Sequence, residues 1–323
     1  MTDQGKINRE GARPASLFER ADAAFGLDPR GNGIKLPPVA PVPQALRRPA
    51  PAPEPQVQPQ PTAPQAAPEP AAPPPPRAVA FCGPSAHIDR THLRDGGLIV
   101  PEDPVTGLLE EFRIVKRELL ADARTGGSPL ARRILVCSPH SGEGKTYCAT
   151  NLAIALAAER GLEVLLVDAD VVQPSITERL GIAAGEGLMD ALADPAILPE
   201  SLVIRTDIAG LFILPAGHAT ARDAEYLASA RTAEVLGRLT EGAPDRILIF
   251  DTPPALAASP AAELAKHVGQ ALLVVRADET SRAALEDAQQ LLSACGDIKL
   301  LLNAARYSPS GRRFGSYYGA KGK

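Results

Sequence analysis

Tryptophan is absent from this 323-residue sequence, and aromatics as a class make up only 4% of it. A core here must therefore be built from aliphatic side chains. Cysteine is scarce as well. Cys82, Cys137, Cys148 and Cys295 form no CxxC pair and no metal-ligand spacing with the five histidines, which excludes a disulfide scaffold and a zinc finger. Cys137 and Cys148 fall on apolar faces and read as buried free thiols in a reducing compartment. No apolar run approaches about 18 residues and the N-terminus is polar, so neither a membrane span nor a signal peptide is expected. The chain reads as soluble and cytoplasmic, able to dock on something in a membrane. A net charge of −4 gives no reason to expect nucleic-acid binding.

Proline is plentiful but uneven: 17 of the 33 fall within Pro37–Pro76. With its Ala and Gln filler, that stretch cannot bury a core and is expected to be extended. Four regions follow. Residues 1–36 form a polar tail in which SLFERADAAF, residues 16–25, places Leu17, Phe18, Ala21, Ala24 and Phe25 on one side of a short helix. Such a helix is marginal alone, so a docking peptide and a transient helix without a role both stay open. Residues 37–85 are a Pro/Ala-rich disordered linker, residues 86–303 a folded domain, and residues 304–323 a flexible basic tail. That tail carries five Lys or Arg, no acid, and three of the five tyrosines.

Within the folded region, the spacing predicts a helix over Thr106–Ala121, with a wide apolar stripe that includes Ile114. Glu110, Arg113 and Lys116 share one edge of its polar face, which by default is solvated. Ile88–Leu93 reads as a helical turn and Gly97–Val100 as a short strand. From Arg132 on, strands at 134–137, 164–168, 211–214, 246–250, 271–275 and 299–302 alternate with helices at 145–159, 188–193, 230–240, 261–266 and 281–293. Continuous apolar strands between amphipathic helices predict an α/β fold with a doubly wound, mostly parallel sheet.

The first strand of that alternation leads into Ser138–Gly144 and then a helix, with the loop reading Ser141, Gly142, Glu143, Gly144, Lys145, Thr146, Tyr147. Strand, Gly-x-Gly-Lys-Thr and helix together predict a P-loop. The glycines let backbone N–H groups turn inward at a helix N-terminus, where the dipole also favours anions. Lys145 would reach the β- and γ-phosphates of ATP and the Thr146 hydroxyl would ligate Mg²⁺. Pro139 stands where the first Gly of the eight-residue consensus belongs, and a loop that merely caps a helix is the plainer alternative. Asp168 and Asp170 close the strand VLLVDAD, and Asp251 closes ILIFDTPP. One such acid would read as a helix cap. Three at the same sheet edge as a phosphate loop predict a site that holds Mg²⁺ and takes a proton from an attacking hydroxyl.

SGEGKT, VLLVDADVVQPS and ILIFDTPP in this order resemble the three Walker motifs (A, A′ and B) of bacterial tyrosine autokinases. Upstream, EEFRIVKREL resembles that family's Glu-x-x-Arg-x-x-Arg/Lys helix, and HIDRTHLRDGGLIVPED is most similar to the autokinases of exosortase-linked exopolysaccharide clusters. The resemblance implies a P-loop NTPase fold and an ATP- and Mg²⁺-dependent protein-tyrosine kinase. In it Gly142, Gly144, Lys145 and Thr146 hold the nucleotide and metal. Asp168 is the base, Asp170 assists the metal site, Asp251 holds Mg²⁺ through water, and Asn303 contacts adenine unless it is a simple turn cap. Tyr317 and Tyr318, with Tyr307, become acceptors presented to a neighbouring subunit, and Glu110, Arg113 and Lys116 become contacts within a homo-oligomeric ring. The implied partners are a membrane polysaccharide chain-length determinant, which recruits and activates the kinase, and a tyrosine phosphatase. Val171, Val172 and Gln173 replace a stretch that often carries an Arg in the family. Two alternatives stand beside this reading. One is a partition or septum-placement switch ATPase, although His140 occupies the place of its signature Lys. The other is a weakly catalytic scaffold of polysaccharide export.

Overall fold

The computed structural model describes residues 77–305. The expected helix at 16–25, most of the proline-rich stretch, and Tyr307, Tyr317 and Tyr318 lie outside the described residues. In chain order, β1 (Ser85–Ala86), α1 (Arg90–Asp95) and α2 (Gly107–Thr125) precede a 3₁₀ turn at Pro129–Arg132. Then come β2 (Arg133–Cys137), α3 (Lys145–Ala157), β3 (Glu163–Asp168) and the short helices α4 (Ile176–Leu180), α5 (Leu188–Ala193) and α6 (Pro199–Leu202). β4 (Ile204–Thr206), β5 (Leu211–Leu214), α7 (Asp223–Leu227), α8 (Ala230–Thr240) and β6 (Arg246–Asp251) follow, and α9 (Pro260–Ala265), β7 (Gln270–Arg276), α10 (Arg282–Leu291) and β8 (Ile298–Asn303) complete the order.

β2 and β6 are buried at every position, a state open only to strands covered on both faces. The eight strands form one sheet in the order β1-β4-β5-β3-β6-β2-β7-β8, and every pairing is parallel except β4 with β5. Side chains alternate between two apolar layers. Ile134, Val136, Leu166 and Ile249 face the layer that holds α2 and α3. Leu135, Cys137, Leu165, Val167 and Phe250 face the layer of α5, α8, α9 and α10. This is the expected doubly wound architecture. Because the paired strands β3, β6, β2 and β7 run parallel, their C-terminal ends collect the loops that follow them along one edge.

Three local expectations differ from the structure. Gly97–Val100 is not a strand. Leu98, Ile99 and Val100 are buried, but the Ile99 N–H donates to the Asn151 side chain of α3 at 2.8 Å rather than to a neighbouring strand. Apolar residues in extended chain need cover, and a helix face supplies it as well as a sheet does. Ile114 on α2 is 47% exposed, so the apolar stripe is narrower than expected. Packed chain also begins before residue 86: Phe81 is buried, its ring meets Phe212 edge-on at 4.9 Å, and the Arg246 guanidinium lies 4.0 Å above it. β1 and β4, too short to show a pattern of their own, were not expected.

Candidate functional site

β2 ends at Cys137, and the chain turns through Ser138–Gly144 into α3. Gly142 and Gly144 take φ of +81° and +96°, the left-handed region where a Cβ is strained. A Cβ on Gly144 would also stand 2.1 Å from Asn303 Nδ2. The turn therefore requires glycine at the two positions the motif supplies. Glu143, only 5% exposed, points its carboxylate into the fold, where it accepts the His140 N–H at 2.9 Å and the Thr280 hydroxyl at 2.5 Å. Ser141 is exposed. The Tyr147 hydroxyl donates to the Gly97 carbonyl at 2.9 Å, which ties the first turn of α3 to the segment before α2.

The three acids do converge at this edge. Asp168 and Asp251 are register partners at the ends of β3 and β6. Asp170, two residues beyond Asp168, pairs with Lys145 Nζ at 2.6 Å. Asp168 and Asp170 are 1% and 2% exposed and Asp251 is fully buried. Asp168 is also a helix cap: Oδ2 accepts the Ser175 and Ile176 N–H groups at 3.0 and 3.1 Å, and Oδ1 accepts the Asp170 N–H at 3.2 Å. Burial nevertheless dominates those bonds and pushes Asp168 up to about 6. Asp251 is different in kind. Neither of its carboxylate oxygens has a hydrogen-bond partner of good geometry, and burial pushes it up to about 7 against the pull of the Lys145 charge and of the nearby Thr146 hydroxyl. A buried orphan carboxylate is costly and points to a group that binds there.

That group fits Mg²⁺. Asp251 and the Thr146 hydroxyl are hard oxygen donors on adjacent elements. Among the described residues no three His, Cys, Asp or Glu side chains form a ready metal cage. Mg²⁺ suits such a site, because it is usually held by one or two carboxylates together with substrate phosphates and water.

The remaining expected residues are distributed as follows. Asn303, at the end of β8, donates from Nδ2 to the Glu143 carbonyl at 2.8 Å and accepts the Ala304 N–H at 2.8 Å. Its amide is thus engaged with the loop itself. Glu110 and Arg113 pair with each other on α2. Lys116 leaves the polar face altogether. It is 6% exposed, and its ammonium donates to the Ala155 carbonyl at 2.9 Å and meets Glu159 at 2.8 Å. The solvated face expected for this edge therefore ends at Arg113, because α3 packs close enough to take the Lys116 side chain. Val172 is 73% exposed beside the acids.

Two residues of the loop were missed by sequence reasoning. Arg276, the last residue of β7, and Thr280, in the turn after it, reach Gly142 and Glu143. No motif marks them; their placement follows from β7 lying next to β2 in the sheet.

Comparison with known proteins agrees with this geometry. The model of the CobQ/CobB/MinD/ParA nucleotide binding domain matches residues 134–309, more than half of the chain. EpsB of Ralstonia nicotianae is 30% identical over 234 residues, which cover 71% of this chain and 30% of EpsB. The tyrosine-protein kinase YwqD of Bacillus subtilis is 29% identical over 192 residues, covering 59% of this chain and 78% of YwqD. Among solved structures, the kinase domain of the Escherichia coli tyrosine kinase ETK superposes with a TM-score of 0.54 at 20% identity, over 72% of this chain and 93% of that domain. That likeness speaks to the fold. The chain spans about three-tenths of the length of EpsB.

Proposed function

The chain belongs to the CobQ/CobB/MinD/ParA nucleotide-binding domain family, and on that footing we propose that it is an ATP- and Mg²⁺-dependent protein-tyrosine autokinase. The observation that carries the proposal is the orphaned, buried Asp251 carboxylate beside a phosphate loop and two further acids. The names of the relatives support the choice of tyrosine as acceptor. Backbone N–H groups of the loop and Lys145 bind the phosphates. Asp251 and Thr146, with Asp170 nearby, hold the metal, which when bound supplies charge neutralisation between the phosphates. Asp168 accepts the proton of the attacking phenol; with its pKa raised to about 6, it is mostly ionised at neutral pH and a stronger base than a surface carboxylate. Lys145 is held by Asp170 at 2.6 Å, so nucleotide binding exchanges one anionic partner for another rather than desolvating a free cation.

The acceptors in this reading are Tyr317, Tyr318 and Tyr307 of another copy in a homo-oligomeric ring, to which Glu110 and Arg113 contribute. The finer setting is a membrane polysaccharide chain-length determinant that recruits and activates the kinase, a phosphatase that resets it, and an exosortase-linked exopolysaccharide system. Among the described residues no helix is long and apolar enough to cross a membrane, which is compatible with recruitment by such a partner. The test is intact-mass and peptide analysis after incubation with Mg²⁺-ATP, beside Lys145→Met. One phosphate on the peptide holding Tyr317 and Tyr318, absent from the variant, is expected. ATP hydrolysis without modified tyrosine, even with the activator segment present, would favour a switch ATPase instead.

A further inference from the structure

The end of β7, the turn after it and the end of β8 grip the phosphate loop at three points. Arg276 Nη1 donates to the Gly142 carbonyl at 3.1 Å, Asn303 Nδ2 to the Glu143 carbonyl at 2.8 Å, and the Thr280 hydroxyl to Glu143 Oε1 at 2.5 Å. The clamp is itself tied together. The Thr280 hydroxyl accepts the Arg276 N–H at 2.8 Å, the Ala277 N–H donates to the Asn303 carbonyl at 2.9 Å, and Arg276 Nε pairs with Glu279 at 2.9 Å. Both ends of the clamp are held in an uncommon conformation, since Asp278 after β7 and Ala304 after β8 take φ of +63° and +55°. For residues other than glycine that conformation persists only where surrounding bonds enforce it.

These bonds have a directional consequence. A peptide carbonyl and the N–H of the next residue belong to one planar trans unit and point in opposite directions. Drawing the Gly142 carbonyl outward to Arg276 turns the Glu143 N–H inward, and drawing the Glu143 carbonyl outward to Asn303 does the same for the Gly144 N–H. Such successive inward N–H groups form a concave anion site. The Glu143 carboxylate, held by Thr280 on one side and by the His140 N–H on the other, keeps the loop from relaxing.

We propose that Arg276, Thr280 and Asn303 are positioning residues that hold the Glu143 and Gly144 amides aimed at a bound phosphate, with Thr280 acting through Glu143. The proposal rests on the nucleotide reading above and goes beyond it, because none of these three side chains need touch the phosphates. Two readouts on the full-length protein separate the two ideas. The first is amide hydrogen exchange of the peptide spanning 139–147 without nucleotide. The second is Mg²⁺-ATP affinity by calorimetry.

Thr280→Val removes the hydroxyl from a partly exposed turn and keeps the shape. It should speed exchange of the loop peptide and weaken Mg²⁺-ATP by about tenfold or more, the size expected for a lost hydrogen bond to a charged group. Thr280→Ser should restore both to within about twofold of wild type, because it returns the same donor. A role of the side-chain methyl alone would instead leave Thr280→Val near wild type and impair Thr280→Ser, and that result overturns the proposal. Unchanged loop exchange in Thr280→Val overturns it as well, whatever the nucleotide result. Wild-type protein that binds no Mg²⁺-ATP would sink the nucleotide reading, while the exchange comparison still decides the clamp.

Discussion

Asp251 is electrostatically unbalanced, since both its oxygens are buried without a well-formed hydrogen bond. In an unfolded chain an aspartate titrates near about 4, whereas here burial pushes Asp251 up to about 7. The folded state therefore binds this proton more tightly. The stabilisation is fully present below about pH 4 and is lost as the pH rises through about 7. With chelator present, thermal unfolding should show wild-type protein less stable at pH 8 than at pH 5.5. Asp251→Asn should remove most of that slope and gain on the order of 2–4 kcal/mol at pH 8. Asp168, pushed up to about 6, acts with the same sign and leaves a residual slope. Parallel pH profiles for variant and wild type would mean that the carboxyl is not protonated in the fold. The gain in stability would come at the expense of the metal, which is the usual tension at a site kept for function.

At the scale of the element, α2 shows how one helix buries both an apolar face and a charged side chain within a single layer. Thr106 caps it by accepting the Leu109 N–H at 3.2 Å, and Phe112, Leu119 and Leu120 bury its inner face. Lys116 lies between that face and α3. Its ammonium reaches the Ala155 carbonyl in the last turn of α3, where the dipole favours a cation, and Glu159 just past the helix end. Lys116→Met keeps the aliphatic stem and removes the charge. It should lower stability by about 1–3 kcal/mol, because a helix-end carbonyl loses its partner. A urea midpoint equal to wild type would show that water replaces the ammonium at no cost. Glu110 and Arg113, partly exposed and paired with each other, are the part of this edge that the proposed ring contact would use. The sequence pattern of three charges at i, i+3 and i+6 was readable, but the divergent fate of Lys116 depends on how closely α3 approaches.

At the scale of the molecule, the parallel sheet gathers the ends of β2, β3, β6, β7 and β8 on one edge, and residues far apart in sequence become neighbours there. In the proposed reaction Tyr307, Tyr317 and Tyr318 are the acceptors, presented by a partner copy. Mixing a Lys145→Met chain that keeps its tyrosines with an active chain carrying Tyr307, Tyr317 and Tyr318 all changed to Phe tests this directly. Phosphate should appear on the inactive chain, at a rate that rises with total protein concentration. A mixture that stays unmodified while active wild type labels itself would place transfer within one copy.

Much of this architecture was legible in advance. The buried strands announce themselves by runs such as ILVC and VLLV, because a strand covered on both faces leaves no room for polar side chains. The phosphate loop is equally plain, since φ near +81° and +96° at Gly142 and Gly144 admits little else, and the three acids stand where strands end. These are local constraints, and local sequence determines them. What only the tertiary structure decided depends on which elements meet. The order of the strands places Arg276 and Thr280 beside Gly142 and Glu143, from which they are separated by more than a hundred residues. Packing on α3, rather than pairing in the sheet, covers Leu98–Val100, and the approach of the same helix draws Lys116 inward. Burial between β3 and β2 leaves Asp251 without a partner. Distance along the chain carries no information about such contacts; only the closing of the sheet and the packing of its two helical layers create them.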